Sequence, residues 1–157
     1  MAENDKPRTG FPRPLRATGH CRHYRYERGD LLSGTGPCCA REVSLRKLGA
    51  ALACMPTPAA DAYCPLRQEY TAAERQMWKE FGDALHHRIA QAIAALPAPI
   101  PLNTSGHVPC PNCEGGELYY ARWDRGAAIQ CNTENCAGAR FSIERGADWP
   151  AKPEEDA

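Results

Sequence analysis

Two cysteine pairs, Cys110-Pro-Asn-Cys113 and Cys131-Asn-Thr-Glu-Asn-Cys136, stand seventeen residues apart and carry the plainest chemistry in this chain. Zinc takes four ligands at the corners of a tetrahedron, with sulfur about 2.3 Å away. A C-x-x-C turn offers two thiolates from one tight loop, and the spacing between the pairs suits a zinc ribbon. Gly115 and Gly116 let the backbone curl after the first pair. A redox dithiol would need a βαβ setting, and none is legible. Four thiolates also leave no open coordination position, so the expected site is structural rather than hydrolytic.

Five more cysteines lie upstream: Cys21, Cys38, Cys39, Cys54 and Cys64. None is in a C-x-x-C knuckle. They fall in a Gly/Pro-rich segment with little apolar material, so a staple is needed. Cys21, Cys39, Cys54 and Cys64 are assigned as a second metal site, with Cys38 the possible substitute. Zinc is the first choice. An iron–sulfur cluster is the rival, because clusters also take four thiolates and Cys64-Pro65 matches the Cys-Pro that ends some cluster motifs. The bland alternative is reduced cysteines filling a small core.

Small modules held by metal fit the composition. The chain has 157 residues and is 43% hydrophobic, yet has only three Phe and three Trp, too few for one large core. No signal-like segment opens it and no run reaches membrane-span length, so a reducing cytoplasm, where paired cysteines are ligands rather than disulfides, is expected.

The elements that must position these residues read as follows. Residues 1–19 are a basic, Pro-rich tail expected to be disordered. Residues 20–96 form a cysteine-cluster module, with a short helix at about 42–53 and a long one at 71–96. Thr71-Ala-Ala-Glu74 is a capping box. Trp78, Phe81, Leu85, Ile89, Ala92 and Leu96 recur at helical spacing, and Pro97 and Pro99 stop the helix. This stripe is read as a face packed on the first cysteine region, or else as a seam for a homodimer. Residues 97–106 are a Pro-rich linker, 107–145 the ribbon, and 146–157 an acidic disordered tail. In the ribbon, 117–123 and 127–131 are expected to pair through Asp124-Arg-Gly126, with Phe141-Ser-Ile143 as a last strand. The fold class is small α+β, metal-stapled: an irregular cysteine-rich N-terminal module, one long helix and a C-terminal β zinc ribbon.

Net charge is zero but unevenly spread. Residues 1–70 hold eleven Lys/Arg against seven Asp/Glu, and residues 107–157 hold five against nine. An anionic partner should meet the N-terminal half. There Arg22, Arg25 and Arg28 sit among His20, Tyr24 and Tyr26, the best nucleic-acid-like patch. In the ribbon, Tyr120, Arg122 and Trp123 are expected to be exposed as a protein-binding anchor. The acidic half makes nucleic-acid binding weak and salt-sensitive at most.

Cys-Arg-His-Tyr (21–24), Cys-Ala-Arg-Glu-Val (39–43), Cys54 and Cys-Pro-Leu-Arg (64–67) precede a Thr-x-x-Glu helix and a Cys-Pro-x-Cys-x-Gly-Gly ribbon. This order resembles small, poorly characterised proteins of bacteriophages and prophages that join an N-terminal cysteine cluster to a C-terminal zinc ribbon. Two positions depart from them: Glu42 stands where such proteins carry a glycine, and Cys38 is extra. The resemblance implies phage origin, residence in a bacterial cytoplasm and an accessory role. No catalytic constellation is legible. The favoured reading is a non-enzymatic zinc adaptor or inhibitor that binds a host or phage protein. The alternatives are a DNA- or RNA-binding regulator and an iron–sulfur protein of nucleic-acid processing.

Overall fold

The computed structural model describes residues 10–27, 36–45, 50–58 and 60–151. It is α+β, with one α-helix and two antiparallel sheets. Strands β1 (Tyr24–Glu27) and β2 (Gly36–Cys39) pair in a hairpin, with Tyr24 opposite Cys39 and Arg25 opposite Cys38. A short 3-10 helix follows at Ala50–Cys54, and then α1 at Ala72–Ala94. Strands β3 (Thr104–Pro109), β4 (Glu117–Trp123), β5 (Gly126–Cys131) and β6 (Gly138–Ser142) form a four-stranded meander in sequence order.

The chain divides into two compact units, residues 14–80 and residues 1–13 with 81–157, so the division falls inside α1. It does not coincide with the boundary drawn at 97–106. That segment is no free tether. Ile100 is buried, its N–H bonds the Trp149 carbonyl at 2.9 Å, and Thr104 already begins β3.

Helix α1 starts where its capping box directs. The Glu74 N–H bonds Thr71 Oγ1 at 3.1 Å, and Glu74 Oε2 accepts from the Thr71 N–H at 2.8 Å. The apolar stripe lies on one face, but its partner differs from expectation. Ala92 and Leu96 are buried, and Ile89 packs beside them, against Leu118 and Ile129 of the four-stranded sheet. This half of the stripe therefore covers the four-stranded sheet.

Three other expectations change. The helix at 42–53 is absent as drawn. Residues 42–45 are irregular, the only helical turns described are the 3-10 ones at Ala50–Cys54, and Leu48 lies outside the described residues. Residues 10–19 are docked rather than loose. The Phe11 N–H bonds the Glu134 carbonyl at 3.0 Å, Asn135 Nδ2 donates to the Phe11 carbonyl at 3.0 Å, and Ala17 is buried. The rest of that tail, 1–9, lies outside the described residues. The start of the acidic tail is docked as well. Trp149 packs on Phe141 with ring centroids 5.2 Å apart, and Ala147 accepts from Arg122 at 3.1 Å. Residues 152–157 lie outside the described residues. Among the described residues, no helix is long and apolar enough to cross a membrane.

Candidate metal centre

Hydrogen bonds build the C-terminal cysteine set before any ion enters. In the first turn the Cys110 N–H bonds the Gly116 carbonyl at 2.8 Å and the Gly116 N–H bonds the Cys113 carbonyl at 3.3 Å. Gly115 takes φ +64°, which glycine adopts without strain. A Cβ at Gly116 would overlap Cys113 Sγ, so only glycine fits there. In the second turn the Cys131 N–H bonds the Ala137 carbonyl at 2.8 Å and the Cys136 N–H bonds the Thr133 carbonyl at 3.2 Å. The β4–β5 hairpin sets Cys131 opposite Leu118 and so returns the second pair beside the first.

The result is four sulfurs within 4.8 Å of one another, the only group of three or more such ligands among the described residues. Cys110 and Cys136 Sγ lie 3.6 Å apart, Cys113 and Cys131 3.5 Å, and Cys113 and Cys136 3.7 Å. A tetrahedral ion at the zinc–sulfur distance of 2.3 Å requires edges of about 3.8 Å. Cys110, Cys131 and Cys136 are buried, Cys113 is partly so, and all four are free thiols. The group can therefore hold a metal ion.

Neighbouring groups shape the thiols. Burial pushes the Cys136 thiol well up from its ordinary range, with the neighbouring sulfurs adding to this, and burial raises Cys113 as well. For Cys131 burial pulls the same way, but the Thr133 N–H at 3.4 Å and the surrounding thiols outweigh it and lower its pKa. Thr133 Oγ1 lies 3.2 Å from Cys113 Sγ. Arg88, on the apolar face of α1, donates to the Cys136 carbonyl at 2.7 Å and the Asn135 carbonyl at 3.0 Å, with its guanidinium 4.2 Å from the Phe11 ring centroid. Sequence reading missed both residues. A signal was present for Arg88, one charge inside an apolar helical stripe.

The expected partner anchor needs correction. A pleated strand alternates faces. Leu118, Tyr120 and Arg122 share the inner face of β4, while Tyr119 and Trp123 look outward, 45% and 38% exposed. Arg122 is only 3% exposed and donates to the carbonyls of Trp123, Gly126 and Ala147. It is a clamp, not an anchor. Tyr120 is half-buried against the core.

The N-terminal residues are placed as follows. Arg22 pairs with Glu74 and lies 4.9 Å from the Tyr70 ring centroid. Arg25 is exposed and donates to the Arg22 and Tyr24 carbonyls. Arg28 lies outside the described residues. Cys21, Cys39, Cys54 and Cys64 line one cavity together with His23, and Cys38 does not. Adjacent strand residues face opposite ways, which separates Cys38 from Cys39. Compared with known proteins, the chain matches no family model, no curated protein and no solved structure.

Proposed function

We propose that this chain is a non-enzymatic zinc-binding accessory protein, phage-encoded and working in a bacterial cytoplasm, that acts as an adaptor or inhibitor through protein contacts. On this reading the four-stranded unit is a zinc ribbon. The observation that carries it is the sulfur spacing of 3.5–3.7 Å among Cys110, Cys113, Cys131 and Cys136, the size of one tetrahedral zinc. Four thiolates fill the coordination shell, so the ion organises the fold and reacts with nothing. The outer sheet face then supplies the contact. Tyr119 and Trp123 flank Ala121 and Ala128, small residues paired across the strands, with exposed Arg140 opposite Ala128. Tyr, Trp and Arg around a shallow centre suit a protein surface.

The test is affinity capture from bacterial extract, repeated after nuclease, with wild-type and Tyr119→Ala/Trp123→Ala chains compared at equal zinc content. A protein partner that survives nuclease and is lost in the double variant is expected. Recovery of nucleic acid alone overturns the reading.

A specific observation favours one second reading, a nucleic-acid-binding regulator. His20 and Tyr24 stack at 5.2 Å, nearly parallel, in a cavity also lined by Arg16, Arg25, Tyr26 and Tyr70. Aromatic faces beside cations suit single-stranded bases. Its sign would be binding to single strands that weakens steeply with salt.

A further inference from the structure

We infer that Cys21, Cys39, Cys54 and Cys64 hold an iron–sulfur cluster, a second metal centre confined to the N-terminal unit. The four cysteines come from four separate segments and line one cavity of about 390 Å³. Hydrogen bonds fix each segment to the next. The Cys21 N–H bonds the Cys54 carbonyl at 2.8 Å. The β1–β2 register sets Cys39 opposite Tyr24, and the Ala40 N–H bonds the His23 carbonyl at 2.8 Å. The Arg67 N–H closes a turn on the Cys64 carbonyl at 3.1 Å, while its guanidinium donates to the carbonyls of Ala53 at 2.6 Å and Met55 at 3.1 Å, on either side of Cys54. Arg67 thus ties the Cys64 turn to the Cys54 turn and brings a cation beside the four cysteines. The Arg41 N–H points at Cys39 Sγ from 3.4 Å, the kind of N–H···S contact that supports a ligating thiolate.

Two observations separate this site from simple core filling and from a single zinc. The buried residues of this cluster are Cys21, Leu45 and Cys54 alone, so two of its three core members are thiols. Such a core leaves its unit short of apolar burial and dependent on a staple. Size decides which staple. A lone zinc draws its four sulfurs to about 3.8 Å of one another, as the C-terminal set already shows at 3.5–3.7 Å. Among the described residues only that set lies wholly within 4.8 Å, and the N-terminal four, all described, surround a cavity instead. Iron–sulfur clusters take four cysteines, and their iron and bridging sulfide stand between the thiolates and hold them farther apart than one ion does.

The full-length chain, produced in iron-replete cells and purified without oxygen, tests this by elemental and sulfide analysis. Expected are a brown colour with broad visible absorbance, iron and acid-labile sulfide in equal amounts, and one zinc per chain. Cys54→Ser should lose iron and sulfide and keep the zinc, Cys131→Ser should lose the zinc and keep the iron, and Cys38→Ser should keep both. Two zincs without iron, or one zinc in a colourless chain, overturn the proposal. If Cys54→Ser is insoluble, the wild-type iron and sulfide content still decides. Iron and sulfide without any zinc in the wild-type chain would count against the adaptor reading and leave this one standing.

Discussion

Single residues fix the C-terminal centre through sterics as much as through ligation. Gly116→Ala places a methyl on Cys113 Sγ. Because the clash is with a cysteine of the proposed zinc site, zinc affinity should fall at least tenfold, read by competition with a chromogenic chelator. Unchanged affinity would mean that the first turn is more plastic than its hydrogen bonds imply. Arg122 makes a different case. Its guanidinium donates to three carbonyls from a buried position, and charged hydrogen bonds contribute about 1.5–3 kcal/mol each, with strong non-additivity. Arg122→Met should destabilise the unit by roughly 2–3 kcal/mol in denaturant titration and leave partner capture by folded protein intact. A surface anchor would do the reverse. Glu42 sits at φ +61°, where a side chain costs about 1–2 kcal/mol and glycine loses about 0.5–1 kcal/mol of that to unfolded-chain entropy. Glu42→Gly should therefore raise the denaturation midpoint of the N-terminal unit slightly; a fall would show that the Glu side chain makes compensating contacts.

At the scale of elements, what was legible followed from local signals, and what was missed followed from tertiary ones. Helix α1 announced its start through Thr71 and Glu74 and its end through Pro97, because capping and proline chemistry act within a few residues. The β4–β5 hairpin was legible in Asp124-Arg-Gly126. Strand β3 was hidden: Asn103-Thr-Ser-Gly106 reads as a flexible linker, and it becomes a strand only because β4 offers an open edge, with Gly106 opposite Tyr120. The β1–β2 hairpin was likewise illegible, its β2 being Gly-Pro-Cys-Cys. The faces of β4 were readable in principle, since Leu118 marks the inner parity and puts Arg122 inside. The cysteine set was legible because knuckle spacing is a local signal, whereas its brace by Arg88 was not, because nothing local says which sheet the stripe of α1 will cover. Capping also gives α1 a pH signature. The Thr71 N–H and then Arg22 hold the Glu74 carboxyl below its ordinary value. A depressed carboxylate contributes stability that is present above its unfolded pKa and lost as pH falls through the folded one. Amide protection at residues 74–76 should therefore drop below about pH 4, the ordinary Glu range. Glu74→Gln, which keeps an acceptor and removes the charge, should abolish the pH dependence. Equal acid sensitivity in that variant would place its origin elsewhere.

Across the whole molecule, the division inside α1 determines how far the loss of one metal spreads. Structural zinc contributes about 10–16 kcal/mol in small finger peptides, while an entire domain is stable by about 5–15 kcal/mol. A four-stranded unit whose buried core is nine residues, three of them cysteines, has no reserve against that loss. If the proposed zinc is bound there, Cys131→Ser should therefore release it and remove amide protection from 104–142. The loss should not stop at the sheet. Ala92 and Leu96 are buried in the same core, and Arg88 bonds the second cysteine turn and Asn112, so α1 should fray from about Phe81 onward. The Phe11 N–H, bonded to Glu134, should exchange with them. Residues 72–80 and the β1–β2 hairpin belong to the other unit and should stay protected. Hydrogen exchange read residue by residue distinguishes the outcomes. Protection lost evenly through all of α1 would make the helix one cooperative piece with the sheet. An unchanged sheet would mean that its packing and strand pairing hold it without a metal.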